Sequence, residues 1–235
     1  ELYPNKESTS SESTTLQILN LAYYPNERGP YNLNPDLDAD GHLSDPQDNW
    51  GGIMRRLTTT DFEAANIEYI EFWMLDPFIY NQSAAGGDLY MNLGEVSEDV
   101  LLDGKKFYEN GIPVDGDSAK WAPTVWGKVP TGKSLVYAFD NNAADSRDRQ
   151  DVGLNGLNSD EERSWPAYAT YLSQIRGKVK PEVYRNIYDD PAADTYHYYR
   201  GADYDDVNMS VLDRYRKYNG TEGNSPNNAE SGSRY

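Results

Sequence analysis

The sharpest chemical pattern in this 235-residue chain is Asp36-Leu37-Asp38-Ala39-Asp40-Gly41-His42-Leu43-Ser44. Carboxylates at alternate positions, then a glycine and an apolar residue two places on, match the first half of a calcium loop. The bidentate acid that closes such a loop falls at position 47, which is Gln47, with Asp45 and Asp48 flanking it. No helix is read ahead of the loop, so an EF-hand proper is excluded. Two readings stay open: calcium held within residues 36–45, or a solvated acidic turn whose Asp side chains bond their own backbone. A second loop, Asp151-Val152-Gly153-Leu154-Asn155-Gly156-Leu157 through Glu162, has a similar rhythm but lacks a side-chain oxygen at Gly153. Its plainer reading is two glycine turns followed by a Ser159 to Glu162 capping pair for the next helix.

Acid–base catalysis is the natural thought for so acidic a chain, and Glu71 is its most interesting carboxylate. It points from the middle of an apolar run, where its pKa rises unless a cation pairs with it. Arg55 or Arg56, on a neighbouring strand candidate, offers that cation, and the expectation is a structural ion pair. His42 and His197 stand in polar segments without a spaced partner. Gly51-Gly52 and Gly86-Gly87 lack the strand–loop–helix context of a nucleotide site and read as a strand entry and a turn. Trp121 and Trp126, with Tyr196, Tyr198 and Tyr199, offer an aromatic platform for sugar rings; the plainer account is that they fill the core. No catalytic, cofactor-binding or metal-binding residue is assigned from these patterns.

The elements that must position these groups are read from periodicity. Asn66 to Leu75, closed by Pro77, carries apolar groups on both alternating faces, which predicts a strand buried centrally in a sheet. Further strands are expected at 16–24, 52–57, 88–93 and 133–139. Helices are expected after Ser97, after Ser164 (with Pro166 in the first turn and Gly177 beyond the end), and from Asn208, where Val211, Leu212, Tyr215 and Tyr218 form a stripe. Together these predict a mainly β fold, a jelly-roll-like antiparallel β-sandwich with long loops and helical insertions. Residues 1–15 read as a flexible lead-in, 16–220 as the domain and 221–235 as a polar tail.

Composition narrows the function classes. Thirty-nine Asp and Glu oppose 21 Lys and Arg, a net charge of −18, which repels phosphate backbones and anionic lipid. No nucleic-acid partner is expected. Leu, Ile, Val and Phe supply under a fifth of the residues, but 20 Tyr and 5 Trp restore buryable surface. Without cysteine there is no disulfide framework or thiol chemistry. No stretch is apolar enough to span a bilayer as a helix. The chain opens at Glu1 without a basic-then-apolar leader, so a mature form or a piece of something larger is expected.

Several strings, taken together, resemble one family: YYPNERGPYN (23–32), WGGIMR (50–55), DFEAANIEYIEFWMLDPF (61–78), GGDLYMNLGEVSEDVLLDGKKFYENGIP (86–113), QDVGLNGL (150–157) and LDRYRKYNGTEGNSP (212–226). They are similar to the amino-terminal-type domain of the SprA family of Bacteroidetes, called Sov in non-gliding species, over roughly residues 16 to 226. The resemblance implies an excerpt of a very large outer-membrane β-barrel, the translocon of the type IX secretion system. Such proteins pass folded cargo to the cell surface and, in gliding species, export motility adhesins. The implied partners are the remainder of the barrel, associated secretion subunits and cargo proteins. An extramembrane place on the cell-surface side is favoured over the periplasm. The resemblance brings no catalytic residue, and it does not reach the Asp36–Gly41 loop. The alternative function is a carbohydrate-binding module of a secreted surface protein.

Overall fold

The computed structural model describes residues 18–53, 57–59, 61–76, 78–81, 83–84, 86–94, 100–105, 117–131, 153–195 and 200–216. Among them, regular structure is one small hairpin and a set of short helices. Strands β1 (Trp121–Pro123) and β2 (Lys128–Pro130) pair antiparallel, with Ala122 opposite Val129. The turn between them is drawn tight by Thr124, whose hydroxyl oxygen accepts from the backbone N–H groups of Trp126 and Gly127 at 3.1 Å each. The helices are α1 (Ser159–Glu162), α2 (Pro166–Ile175), α3 (Pro181–Asp189), α4 (Ala202–Asp206) and α5 (Val211–Arg216).

Helix α2 organises the core. Tyr168, Tyr171, Leu172 and Ile175 recur at the spacing of one helix face, and all four are buried. Tyr168 enters a cluster with Tyr31, Leu101, Leu154, Leu157 and Ala192. The next turn of α2, Tyr171 to Ile175, enters a second cluster with Leu37, Leu43 and Val179. Leu33 packs against both clusters, and Val183, Tyr184 and Ile187 of α3 cover the second. Proline occupies the first turn of both α2 and α3, where its missing N–H costs nothing. Gly177, at φ +80°, takes the left-handed position that ends α2.

Segments distant in sequence close this core. The Arg28 guanidinium donates to the carbonyls of Pro191 at 2.9 Å and Asp190 at 3.3 Å, and lies 5.2 Å from the Tyr171 ring centroid. The Tyr31 N–H donates to the Ala192 carbonyl at 2.7 Å. Arg216 of α5 pairs with Glu27 and lies over the Tyr24 ring.

The expected jelly-roll-like β-sandwich is not the fold. The described residues hold just two strands of three residues each, and the rest of their regular structure is helical. Asn66 closes a turn at φ +51°, residues 67–75 carry no regular structure and join no ladder among the described residues, and their apolar side chains are exposed, Leu75 by 84 % and Tyr69 by 78 %. Likewise 18–24 and 88–93 pair with no strand among the described residues. The physical reason is that a strand is completed by a partner elsewhere in the chain. Two-sided apolar alternation marks a surface needing cover; it does not supply the cover. Of the stretch 52–57, positions 52, 53 and 57 are not in a strand; the strand at 133–139 lies outside the described residues, as do the lead-in and the tail.

Helix expectations fared differently. Pro166 and Gly177 do bracket α2, although Trp165 and not Ser164 is the capping position. The stripe at Val211, Leu212 and Tyr215 is on a helix, but these side chains are exposed and the helix starts at Val211, behind a Ser210 hydroxyl that accepts from the Asp213 N–H at 3.2 Å. Of the helix expected after Ser97, residues 100–105 are turn and bend. Helices α3 and α4 have no counterpart in the sequence reading.

Candidate functional site

The chemical centre of the molecule lies where the Gly153–Leu157 loop, α1, α2 and residues 190–194 meet. The loop is directed inward by its own amides: Asn155 Oδ1 accepts from the Leu157 N–H at 2.9 Å. Helix α1 then begins in a reciprocal cap, with Asn158 Oδ1 accepting from the Glu161 N–H and Glu161 Oε2 accepting from the Asn158 N–H. That cap sets the rotation of one helical turn, which sends Glu162 into the interior.

Glu162, Asn155 and Tyr168 have no exposed surface, and Asp194 has almost none. Asn155 Nδ2 donates to Glu162 Oε1 at 2.7 Å and to the Tyr168 hydroxyl oxygen at 3.0 Å. The Ala192 N–H donates to Glu162 Oε2 at 3.1 Å. Oxygens of Glu162, Asp190 and Asp194 lie within 4.8 Å of one another. Burial pushes the Glu162 carboxyl up to about 7; the Asn155 and Ala192 hydrogen bonds and the Arg28 charge oppose that rise, while Asp190 adds to it. Burial also raises the Tyr168 hydroxyl, which stays protonated.

Two glycines permit this closeness. A Cβ at Gly153 (φ +59°) would lie 2.1 Å from Asp194 Oδ2 and 2.5 Å from the Tyr31 hydroxyl. A Cβ at Gly127 would lie 2.1 Å from the Asn155 carbonyl oxygen. That same carbonyl accepts from the Lys128 N–H at 2.8 Å, so the β1–β2 turn is seated directly on the loop. Lys128 Nζ reaches Glu161 Oε1 at 2.6 Å, and Trp165 Nε1 donates to the Thr124 carbonyl at 2.9 Å.

Clustered carboxylates are a donor set that hard cations favour. Here both Glu162 oxygens already accept from N–H donors, and a proton on Glu162 removes its charge without a cation. A perturbed carboxyl beside a buried tyrosine also resembles acid–base machinery. With no exposed surface, Glu162 reaches no substrate in this conformation. What the arrangement does chemically is hold the Gly153–Leu157 loop, α1, α2 and the segment at Ala192 together through one hydrogen-bond network.

The sequence-predicted candidates lie elsewhere. Asp36–Ser44 forms a tight turn closed by an antiparallel bridge between Leu37 and Leu43. Asp38 Oδ1 accepts from the N–H groups of Asp40 at 2.8 Å and His42 at 2.9 Å, and Oδ2 meets His42 Nδ1 at 3.2 Å. The His42 backbone bond, first among several, lowers the Asp38 pKa. Asp40 pairs with Lys180, whose backbone N–H donates to the Ala39 carbonyl. The Asp38 carboxylate thus bonds the turn's own backbone, and the Asp40 carboxylate docks the turn at the start of α3.

Glu71 is exposed and not at the centre of a buried strand; Arg55 and Arg56, its expected partners, lie outside the described residues. Trp126 packs against the first core cluster, and Trp121 lies 5.3 Å below the Lys128 ammonium. Tyr196, Tyr198, Tyr199 and His197 lie outside the described residues. The sequence reading placed Glu162 in a capping pair with Ser159; the cap lies one residue earlier, between Asn158 and Glu161, and Glu162 is buried instead. The available signal was the Asn158–Glu161 capping spacing, which fixes which of the two adjacent glutamates faces inward.

No helix among the described residues is long and apolar enough to cross a membrane. No curated protein and no solved structure matches the chain. A family model matches residues 170–235, which takes in the end of α2, α3, α4 and α5 and, of the strings quoted above, LDRYRKYNGTEGNSP. That model is SprA_N, described as motility related/secretion protein, and its match supports assigning the chain to the SprA/Sov-type family.

Proposed function

We propose that this chain is an extramembrane structural and interaction domain of the type IX secretion translocon at the outer membrane. It frames the channel or docks partner subunits and cargo through shape and hydrogen bonding, without bond chemistry. The observation that carries this reading is the match of residues 170–235 to a secretion and motility family. It is supported by the burial of the titratable network, which suits a scaffold and not a substrate site. The partners are the remainder of the barrel, its associated subunits and exported proteins, and the domain faces the cell exterior. In gliding species the same role extends to export of motility adhesins.

The test is genetic and topological. Removing residues 166–216 from the protein in its own cell should stop cargo reaching the surface; normal export would overturn the proposal. An epitope placed in the 36–45 turn should be detected on intact cells. Detection only after permeabilisation would move the domain to the periplasmic side. The carbohydrate-binding alternative draws no support from Trp126, which is spent on the core.

A further inference from the structure

The buried loop at the centre of the molecule carries a reactive dipeptide. Asn155 is followed by Gly156, and a residue without Cβ leaves its own peptide nitrogen open to close approach. In a freely moving chain that nitrogen loses its proton to hydroxide and attacks Asn155 Cγ. A bond forms between the Gly156 nitrogen and Cγ, the Cγ–Nδ2 bond breaks, and the carboxamide nitrogen leaves as ammonia with a proton from water. Water then opens the resulting cyclic imide. Cleavage of the new bond leaves aspartate; cleavage at the former Asn155 carbonyl leaves isoaspartate, with the main chain rerouted through Cβ and Cγ.

The folded protein holds every group that this reaction must move. Asn155 has no exposed surface, and residues 153–157 are buried throughout. Its Nδ2 donates to Glu162 Oε1 at 2.7 Å and to the Tyr168 hydroxyl oxygen at 3.0 Å, while Oδ1 accepts from the Leu157 N–H at 2.9 Å. The Gly156 N–H donates to the Gly153 carbonyl at 3.4 Å, and burial keeps hydroxide from that proton.

Neither product fits the same place. Ionised aspartate at 155 has no N–H for Glu162 or Tyr168. It also adds a carboxylate beside the Glu162, Asp190 and Asp194 oxygens, which already lie within 4.8 Å of one another. Isoaspartate moves the main chain where there is no room. A Cβ at Gly127 would lie 2.1 Å from the Asn155 carbonyl oxygen, and the Lys128 N–H donates to that oxygen at 2.8 Å. We infer that Asn155–Gly156 is a latent deamidation site: folding silences it, unfolding opens it to water, and conversion bars the chain from its native core. Loss of the fold becomes one-way through chemical change in the unfolded chain, with water as the co-reactant.

Peptide mapping by mass spectrometry tests this on the full 235-residue protein, incubated at neutral pH with and without concentrated guanidinium chloride. In denaturant Asn155 should convert alongside Asn110 and Asn219, which are also followed by glycine and serve as references for reaction in the open chain. Without denaturant, conversion at Asn155 should be at least about tenfold slower than in denaturant. Equal rates in the two conditions would overturn the masking, and an Asn155 that stays intact in denaturant would overturn the site. Asn155→Asp supplies one product directly and should melt well below the parent protein at neutral pH or fail to fold. A melting temperature equal to the parent's would overturn the claim that conversion bars the native core.

Discussion

The carboxamide of Asn155 donates to Glu162 Oε1 at 2.7 Å, and neither side chain has any contact with solvent. Through this bond a glycine-flanked loop is fastened to the last residue of α1. The same carboxamide also serves the Tyr168 hydroxyl on α2 and the Leu157 N–H. One side chain therefore satisfies polar groups from three parts of the core.

Asn155→Ala is expected to lower stability by about 3 kcal/mol, since it leaves several buried polar groups unsatisfied at once. Urea unfolding followed by tyrosine and tryptophan fluorescence measures it. A loss below about 1 kcal/mol would mean that the network contributes little.

Stability should fall as pH rises. Below the ordinary carboxylate value of 4.5, Glu162 is protonated in both folded and unfolded chains. Between 4.5 and about 7 the folded chain keeps a proton that the unfolded chain has released, so each step up in pH favours unfolding. Above about 7 the loss is complete, on the order of 3 kcal/mol. Glu162→Gln should flatten this part of the pH profile, whatever its absolute stability. An unchanged profile in the variant would show that Glu162 is not the group responsible.

Two glycine substitutions should separate steric from conformational cost. Gly177→Ala meets open space and bears just the left-handed backbone penalty, about 1 kcal/mol. Gly127→Ala drives a methyl into the Asn155 carbonyl and should cost at least about 3 kcal/mol. Similar losses for both, by thermal or urea unfolding, would contradict the seating of the hairpin turn on the loop.

The core and the ribbon should respond oppositely to truncation. Ile175 is wholly buried, and Ile175→Ala should cost about 2–5 kcal/mol. Leu75→Ala, at a side chain 84 % exposed, should change stability by less than about 0.5 kcal/mol. Amides of α2 should exchange slowest and those of Ile70 to Met74 rapidly in the isolated protein. Slow exchange in Ile70 to Met74 would mean that this stretch is paired after all.

The acidic turn should be nearly indifferent to loss of its ion pair. Lys180 and Asp40 are each about half exposed, so water and salt screen their attraction. Lys180→Ala should leave the urea unfolding midpoint nearly unchanged. A larger loss would assign the pair a structural weight that its exposure does not suggest.

Local chemistry was legible from the residues alone. Pro166 and Gly177 bracket α2 because proline lacks a donor that the first turn does not need, and glycine enters left-handed backbone cheaply. The backbone bonding of Asp38 was also readable, since a short carboxylate reaches N–H groups two to four residues ahead. The family strings were distinctive enough to point toward secretion before any coordinates. Tertiary structure alone decided the rest. That Glu162 faces inward while Glu161 caps a helix depends on one turn's rotation and on what closes over it. That the Asn66–Leu75 run lies bare depends on the absence of a partner strand among the described residues, and no pattern within ten residues encodes what lies beside them. Periodicity reports which surfaces want burial; which surfaces obtain it is set by contacts between residues far apart in the chain.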